Sequence, residues 1–189
     1  MSQPRVHTSC ITRDGQEFVI REAAITDAAQ LIAHTRGILA EPQWSVTESE
    51  EFQVTAKQEE DWIAGFRQRP HNILLVADFG TPHNPRIVGT VNFGTQTRFR
   101  VRHRGRLGIG VQAAYRGLGV GVALLQALLD WATTEPELER IELSVFAHNE
   151  GAIRLYRKLG FVEEAHLQRA FKLADGSYYD EIMMAKWVK

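Results

Sequence analysis

Residues 107–121, LGIGVQAAYRGLGVG, restrict the fold more than any other part of the chain. They read as a strand ending near Val111, then a basic glycine-rich turn, Arg116-Gly117-Leu118-Gly119-Val120-Gly121, and a long helix that begins inside that turn. Glycines permit positive φ and let the backbone approach a ligand closely. The free amides at a helix start favour an anion, and Arg116 adds a cation. This is the equipment needed to hold a pyrophosphate. Three readings compete. A Walker loop is set aside, because no Gly-Lys-Ser/Thr occurs here. Gly108-Ile109-Gly110-Val111-Gln112-Ala113 matches the dinucleotide pattern G-x-G-x-x-A. However, its first glycine lies within the expected strand, the helix starts after Tyr115, and the preceding chain reads as a hairpin rather than the opening of a βαβ unit. The third reading is a turn packed tightly for geometric reasons. The glycine run alone does not decide the matter.

The patterning on either side predicts an α/β fold. Residues 17–22 read as a strand. Thr26 or Asp27 opens a helix with Ala28, Leu31, Ile32, Thr35 and Leu39 at helical spacing. Ser45, Thr47 and the acids after them suggest a second helical region running to Phe66 and ended by Pro70. Short apolar runs at 73–78, 87–93 and 106–111 predict an antiparallel meander. A helix over 117–133 follows, with Val120, Leu124, Leu128 and Trp131 on one face. Then come a strand at 141–146, a helix over 150–159 ended by Gly160, and strands at 161–172 and 178–187 around the turn Asp175-Gly176. Residues 1–15 are expected to be a flexible leader and 16–189 one domain.

Composition narrows the function. The 189 residues carry a net charge of −1, so no sign dominates enough to imply nucleic acid or an anionic membrane as partner. The local run Arg98, Arg100, Arg102, His103, Arg104 and Arg106 reads as a solvated hairpin rim. Cys10 is the only cysteine, which excludes an intrachain disulfide and a cysteine-based zinc site. No metal is expected. The N-terminus lacks the apolar core of a secretory signal, and no apolar run is long enough to span a bilayer. A soluble, cytoplasmic protein is the expectation.

The second motif, about thirty residues downstream, resolves the first. It reads LSVFAHNEGAIRLYRKLGF over 143–161. With it, the chain resembles the GNAT superfamily of N-acetyltransferases. Residues Arg116 to Gly121 match the family's R/Q-x-x-G-x-G/A acyl-CoA motif. Asn149, Ala152, Ile153, Leu155, Tyr156, Leu159, Gly160 and Phe161 match its second signature. The match is specific over 107–161 and extends over 17–187 in element order. The tail at 175–181 and the His103 hairpin resemble bacterial amino-acid-type acetyltransferases.

The resemblance implies a GNAT fold: a mixed, mostly antiparallel sheet, splayed at the acyl-CoA site and flanked by helices. It implies transfer of acetyl from the cosubstrate acetyl-CoA to a primary amine of a small molecule, peptide or protein by direct attack. The pantetheine arm pairs with Ile109, Gly110 and Val111. The pyrophosphate sits on Arg116, Gly117, Leu118, Gly119, Val120 and Gly121. Asn149 contacts the arm, and it also suits a helix cap. Tyr156 stands at the thioester sulfur as general acid, against the alternative of a core tyrosine.

Many family members carry a glutamate on the strand before the glycine loop, and here that strand has no acid. Glu142 is the nearest alternative base, and a salt bridge with Arg140 is its equal competitor. His103 and His148 are other titratable options. Trp44 borders the acceptor pocket by analogy, or lies in the core. Family members often form homodimers, so a homodimer is possible. A catalytically inactive acyl-CoA-binding or sensing module is the competing function.

Overall fold

A computed structural model describes residues 5–81 and 83–189, with only the backbone of Pro42. Its strands are β1 (His7–Ile11), β2 (Glu17–Glu22), β3 (Ile73–Asp78), β4 (Ile87–Thr95), β5 (Arg104–Val111), β6 (Arg140–Phe146), β7 (Val162–Lys172) and β8 (Tyr178–Trp187). Its α-helices are α1 (Ala28–Leu39), α2 (Ala56–Gln68), α3 (Val120–Thr134) and α4 (Glu150–Lys158). Hydrogen-bonded neighbours follow the order β1-β2-β3-β4-β5-β6-β8-β7. The β5–β6 pair is parallel, while β1–β2, β2–β3, β3–β4, β6–β8 and β8–β7 are antiparallel. This is the mixed, mostly antiparallel α/β sheet expected from the sequence.

The chain divides into two compact units, and β5 passes through both. The first holds the described residues up to Gly94 together with Gly108–Pro136. Its centre is β3, buried along its whole length, with Phe93, Leu124, Leu125 and Leu128 also removed from solvent. Burying each such side chain is worth about 1.5–3 kcal/mol. The sheet has two covered faces here. A Cβ added to Gly89 would meet Leu124 of α3 at 3.0 Å, and one added to Gly110 would meet Ile38 of α1 at 3.4 Å.

The second unit holds Thr95–Leu107 and Glu137–Lys189. In it β5 pairs with β6 only over Arg104–Arg106 against Arg140–Glu142. Strand β6 is paired with β8 along its whole length.

Two expectations are corrected. The leader over 1–15 contains β1, paired with β2 from His7↔Arg21 to Ile11↔Glu17. Residues 1–4 lie outside the described residues. Strand β1 has no buried face, so no apolar alternation announces it. Backbone pairing holds it, aided by Arg5, whose guanidinium donates to Glu22 at 2.7 Å. The second helical region begins later than the acids suggested. Ser49–Glu51 form a single 3-10 turn, and α2 starts behind a reciprocal cap. There Gln58 N–H donates to Thr55 Oγ1, and Thr55 N–H donates to Gln58 Oε1.

Candidate active site

In the first unit, β5 ends at Val111 and the chain makes one 3-10 turn, Ala113–Tyr115. Gly117 and Gly119 then take φ values of 75° and 100°, a region that L side chains rarely enter. Arg13 pins this loop from the β1–β2 turn: its N–H donates to Leu118 O at 3.0 Å and its guanidinium to Gly117 O at 3.2 Å. Helix α3 starts without a side-chain cap and without an acid in its first turn. Its first bond is Ala123 N–H to Gly119 O. The amides of Val120, Gly121 and Val122 therefore have no intrahelical acceptor. Val120 is fully buried, while Gly121 beside it is half-buried. Nothing lies within 4 Å of a Cβ built on Gly117 or Gly119. Open space, positive-φ glycines and unpaired amides together fit a pyrophosphate group.

Arg116 is not idle. Its Nη1 and Nη2 donate to Glu41 at 2.7 and 2.8 Å, and its Nε donates to Val111 O at 2.9 Å. Ile109, Gly110 and Val111 are half-buried. Trp44 is half-buried in the 3-10 turn that follows Glu41.

In the second unit, Asn149 caps α4, with Oδ1 accepting from Ala152 N–H at 3.1 Å. Its cap role is therefore real, and its Nδ2 donors are a separate resource. Tyr156 is 6% exposed on the buried face of α4, and burial pushes its phenol up to about 12. It is thus protonated at neutral pH. Glu142 forms the salt bridge that competed with a base role. Its Oε1 accepts from Arg140 Nε at 2.8 Å and from Arg104 Nη1 at 3.0 Å. Burial alone would raise its pKa, but the two guanidiniums outweigh it and the net shift is downward. That makes the carboxylate a weaker proton acceptor. His103 is half-buried, and its backbone carbonyl accepts from Glu139 and Arg140. His148 is exposed, stacks on Phe146 and packs at a tilt against Tyr179. Within the arginine run, Arg102 pairs with Glu137 and Arg104 with Glu142, as a solvated rim requires.

A model of the acetyltransferase (GNAT) family matches residues 39–161. The chain belongs to the GNAT family. L-amino acid N-acetyltransferase AaaT of Escherichia coli is 30% identical over 170 residues, covering 90% of this chain and 98% of the relative. A GNAT acetyltransferase structure from Streptococcus pneumoniae superposes with a TM-score of 0.84 at 31% identity, covering 90% and 99% of the two chains. The fold is shared with yncA of Salmonella typhimurium, solved with its cofactor acetyl-CoA, at a TM-score of 0.77 and 21% identity over 91% and 94%. This GNAT protein is therefore an acyl-CoA-dependent N-acetyltransferase. No described helix is long and apolar enough to cross a membrane.

Sequence reasoning missed two polar side chains of the first unit. Glu41 occupies Arg116. His34 lies on the inner face of α1, 2% exposed, and burial lowers its pKa to about 4. Its signal was a polar residue at a core position of the Leu31–Leu39 spacing.

Proposed function

We propose that this enzyme moves the acetyl group of acetyl-CoA directly to the primary amine of a small molecule, with free L-amino acids as the first candidates. The observation that carries this is the amide-lined, glycine-shaped start of α3 directly after β5. The acceptor class is supported by the likeness to AaaT along nearly its whole length.

In this reading, the amides of Val120 and Gly121, with Gly117, Leu118, Gly119 and Arg116, take the pyrophosphate. The backbone of Ile109, Gly110 and Val111 takes the pantetheine arm, and its N–H groups polarise the thioester carbonyl. Asn149 offers Nδ2 to the arm while Oδ1 holds the cap. Tyr156 donates to the sulfur as the thiolate leaves. A phenol near 12 is a hydrogen-bond donor to that thiolate more than a full acid. Glu142, spent on two guanidiniums, serves structure rather than proton transfer.

Direct attack needs no protein nucleophile. It is supported by the one thiol: Cys10 lies on the edge strand β1, and burial raises its pKa, which disfavours the thiolate. Thiol release from acetyl-CoA across a panel of L-amino acids, polyamines and N-terminal peptides tests the proposal. Release with peptides alone would overturn the small-molecule assignment, and release with none would overturn the transfer itself.

A further inference from the structure

The face of β4 and β5 that looks toward α1 departs from the apolar core around it. Gln112 N–H donates to Val88 O, and a Cβ on Gly108 would lie 2.8 Å from Asn92 Oδ1. These two relations fix an antiparallel register in which Gly110 stands opposite Thr90. This face therefore presents Thr90 and Asn92 beside Gly108 and Gly110. Thr90 and Asn92 are half-buried, as are both glycines. The other face of β4 carries Val91 and Phe93, both fully buried.

His34 overlies this strip. Its Nε2 is 3.4 Å from Thr90 Oγ1 and 3.6 Å from a Cβ built on Gly110. Its Nδ1 is buried and has no hydrogen-bond partner among the described residues. A buried ring nitrogen without a partner is costly. The other buried residues of α1 are Ala28, Leu31, Ile32 and Leu39, so His34 is the one polar side chain among them. Its Nε2 lies where a group arriving at Gly110 would meet it.

We propose that Thr90 and His34 form the proton path for the acceptor amine. This deepens the acetyl-transfer reading above and rests on it. The lone pair of the attacking nitrogen forms the bond to the acyl carbon. The C–S bond breaks and its electron pair goes to sulfur. The nitrogen's proton passes to Thr90 Oγ1 as the hydroxyl's own proton passes to Nε2 of His34. This uses the tautomer with the lone pair on Nε2. As product leaves, Nε2 passes its proton back through Thr90 Oγ1 to entering water. Water supplies the proton that the thiolate takes up, so the proton lost by nitrogen balances the one gained by sulfur. Glu59 of α2, 7% exposed and raised by burial, is another buried titratable group of this unit, and it serves as the control.

The test compares wild type with His34→Gln, Thr90→Val and Glu59→Gln in the full chain. Each is assayed for thermal unfolding, acetyl-CoA affinity and turnover with methylamine, hydrazine and hydroxylamine. These are nucleophiles of one size whose basicity falls in that order. The path predicts unchanged cofactor affinity in His34→Gln and Thr90→Val. It predicts a kcat deficit of about 10²-fold with methylamine that shrinks along the series, because a weakly basic amine needs less help. Thr90→Val, nearly isosteric, carries the test if His34→Gln fails to fold. A deficit equal for all three nucleophiles, or none, overturns the proposal. So does a basicity-dependent deficit in Glu59→Gln alone. Failure of wild type with these three amines and with the L-amino acids, polyamines and peptides above overturns the transfer reading as well, and wild type alone reveals it.

Discussion

Arg116 grips Glu41 with both terminal nitrogens, at 2.7 and 2.8 Å, in the loop that leads into α3. The guanidinium cannot serve both carboxylate and phosphate with the same two donors. In the proposed reading, binding of acetyl-CoA therefore competes with Glu41 for Arg116. Glu41→Gln should tighten acetyl-CoA binding. The pair is partly exposed, so the gain should lie within about 1 kcal/mol, or roughly fivefold. Calorimetric titration measures it. Weaker binding in Glu41→Gln would show instead that Glu41 orients Arg116 for the phosphate.

Gly119 opens α3 with φ of 100°. Gly119→Val should destabilise the protein by about 1–3 kcal/mol through backbone strain. It should also obstruct the anion's approach, since the space beyond the Cα is open only while no side chain fills it. Thermal unfolding and a cofactor titration separate the two effects. Unchanged affinity in a folded variant would remove this loop from the cofactor site.

Tyr156→Phe keeps the ring in its buried place and removes the hydroxyl. In the proposed role as donor to the sulfur, its loss should lower kcat by roughly 10²–10⁴-fold, toward the lower figure for a hydrogen bond without full proton transfer. Affinity for acetyl-CoA should hardly move. Steady-state kinetics beside a titration checks this. Normal kcat would return Tyr156 to the core.

Glu142→Gln should leave the shape of the pH–rate profile unchanged and lower stability. The carboxylate's folded pKa is depressed below its ordinary 4.5. Its contribution is complete above 4.5 and is lost as pH falls through the lower folded value. Unfolding of wild type and variant should therefore differ at neutral pH and converge in acid. A profile that loses activity selectively at low pH would make Glu142 a base after all.

His34 acts in the same direction, over a higher pH range. Its pKa falls from 6.5 to about 4 on folding, so the unfolded chain takes up the proton first. Stability should drop as pH falls from 6.5 toward 4, by at most about 1.4 kcal/mol per pH unit, and then level off. Denaturant unfolding across that range shows it. His34→Gln should lose this component of the slope, and an identical slope in the variant would place a partner on the ring.

The sequence alone determined the strand–loop–helix at 107–121, the cap at Asn149 and the position of Tyr156 on α4. Each is local: a glycine φ, a side-chain oxygen three residues from its amide, a helical repeat. It also determined the family, because two local motifs at a set separation suffice for that. Tertiary structure decided what distant groups do to one another. Glu142 became the weaker candidate for a base because Arg104, 38 positions away, joins Arg140 at its carboxylate. Arg116 acquired Glu41 across 75 positions, and His34 met Thr90 across 56. Strand β1 escaped notice because an edge strand with no buried face is held by its partner's backbone. Periodicity records which side a residue turns to the core. It does not record which charge or hydroxyl waits there, and proton affinity depends on that neighbour.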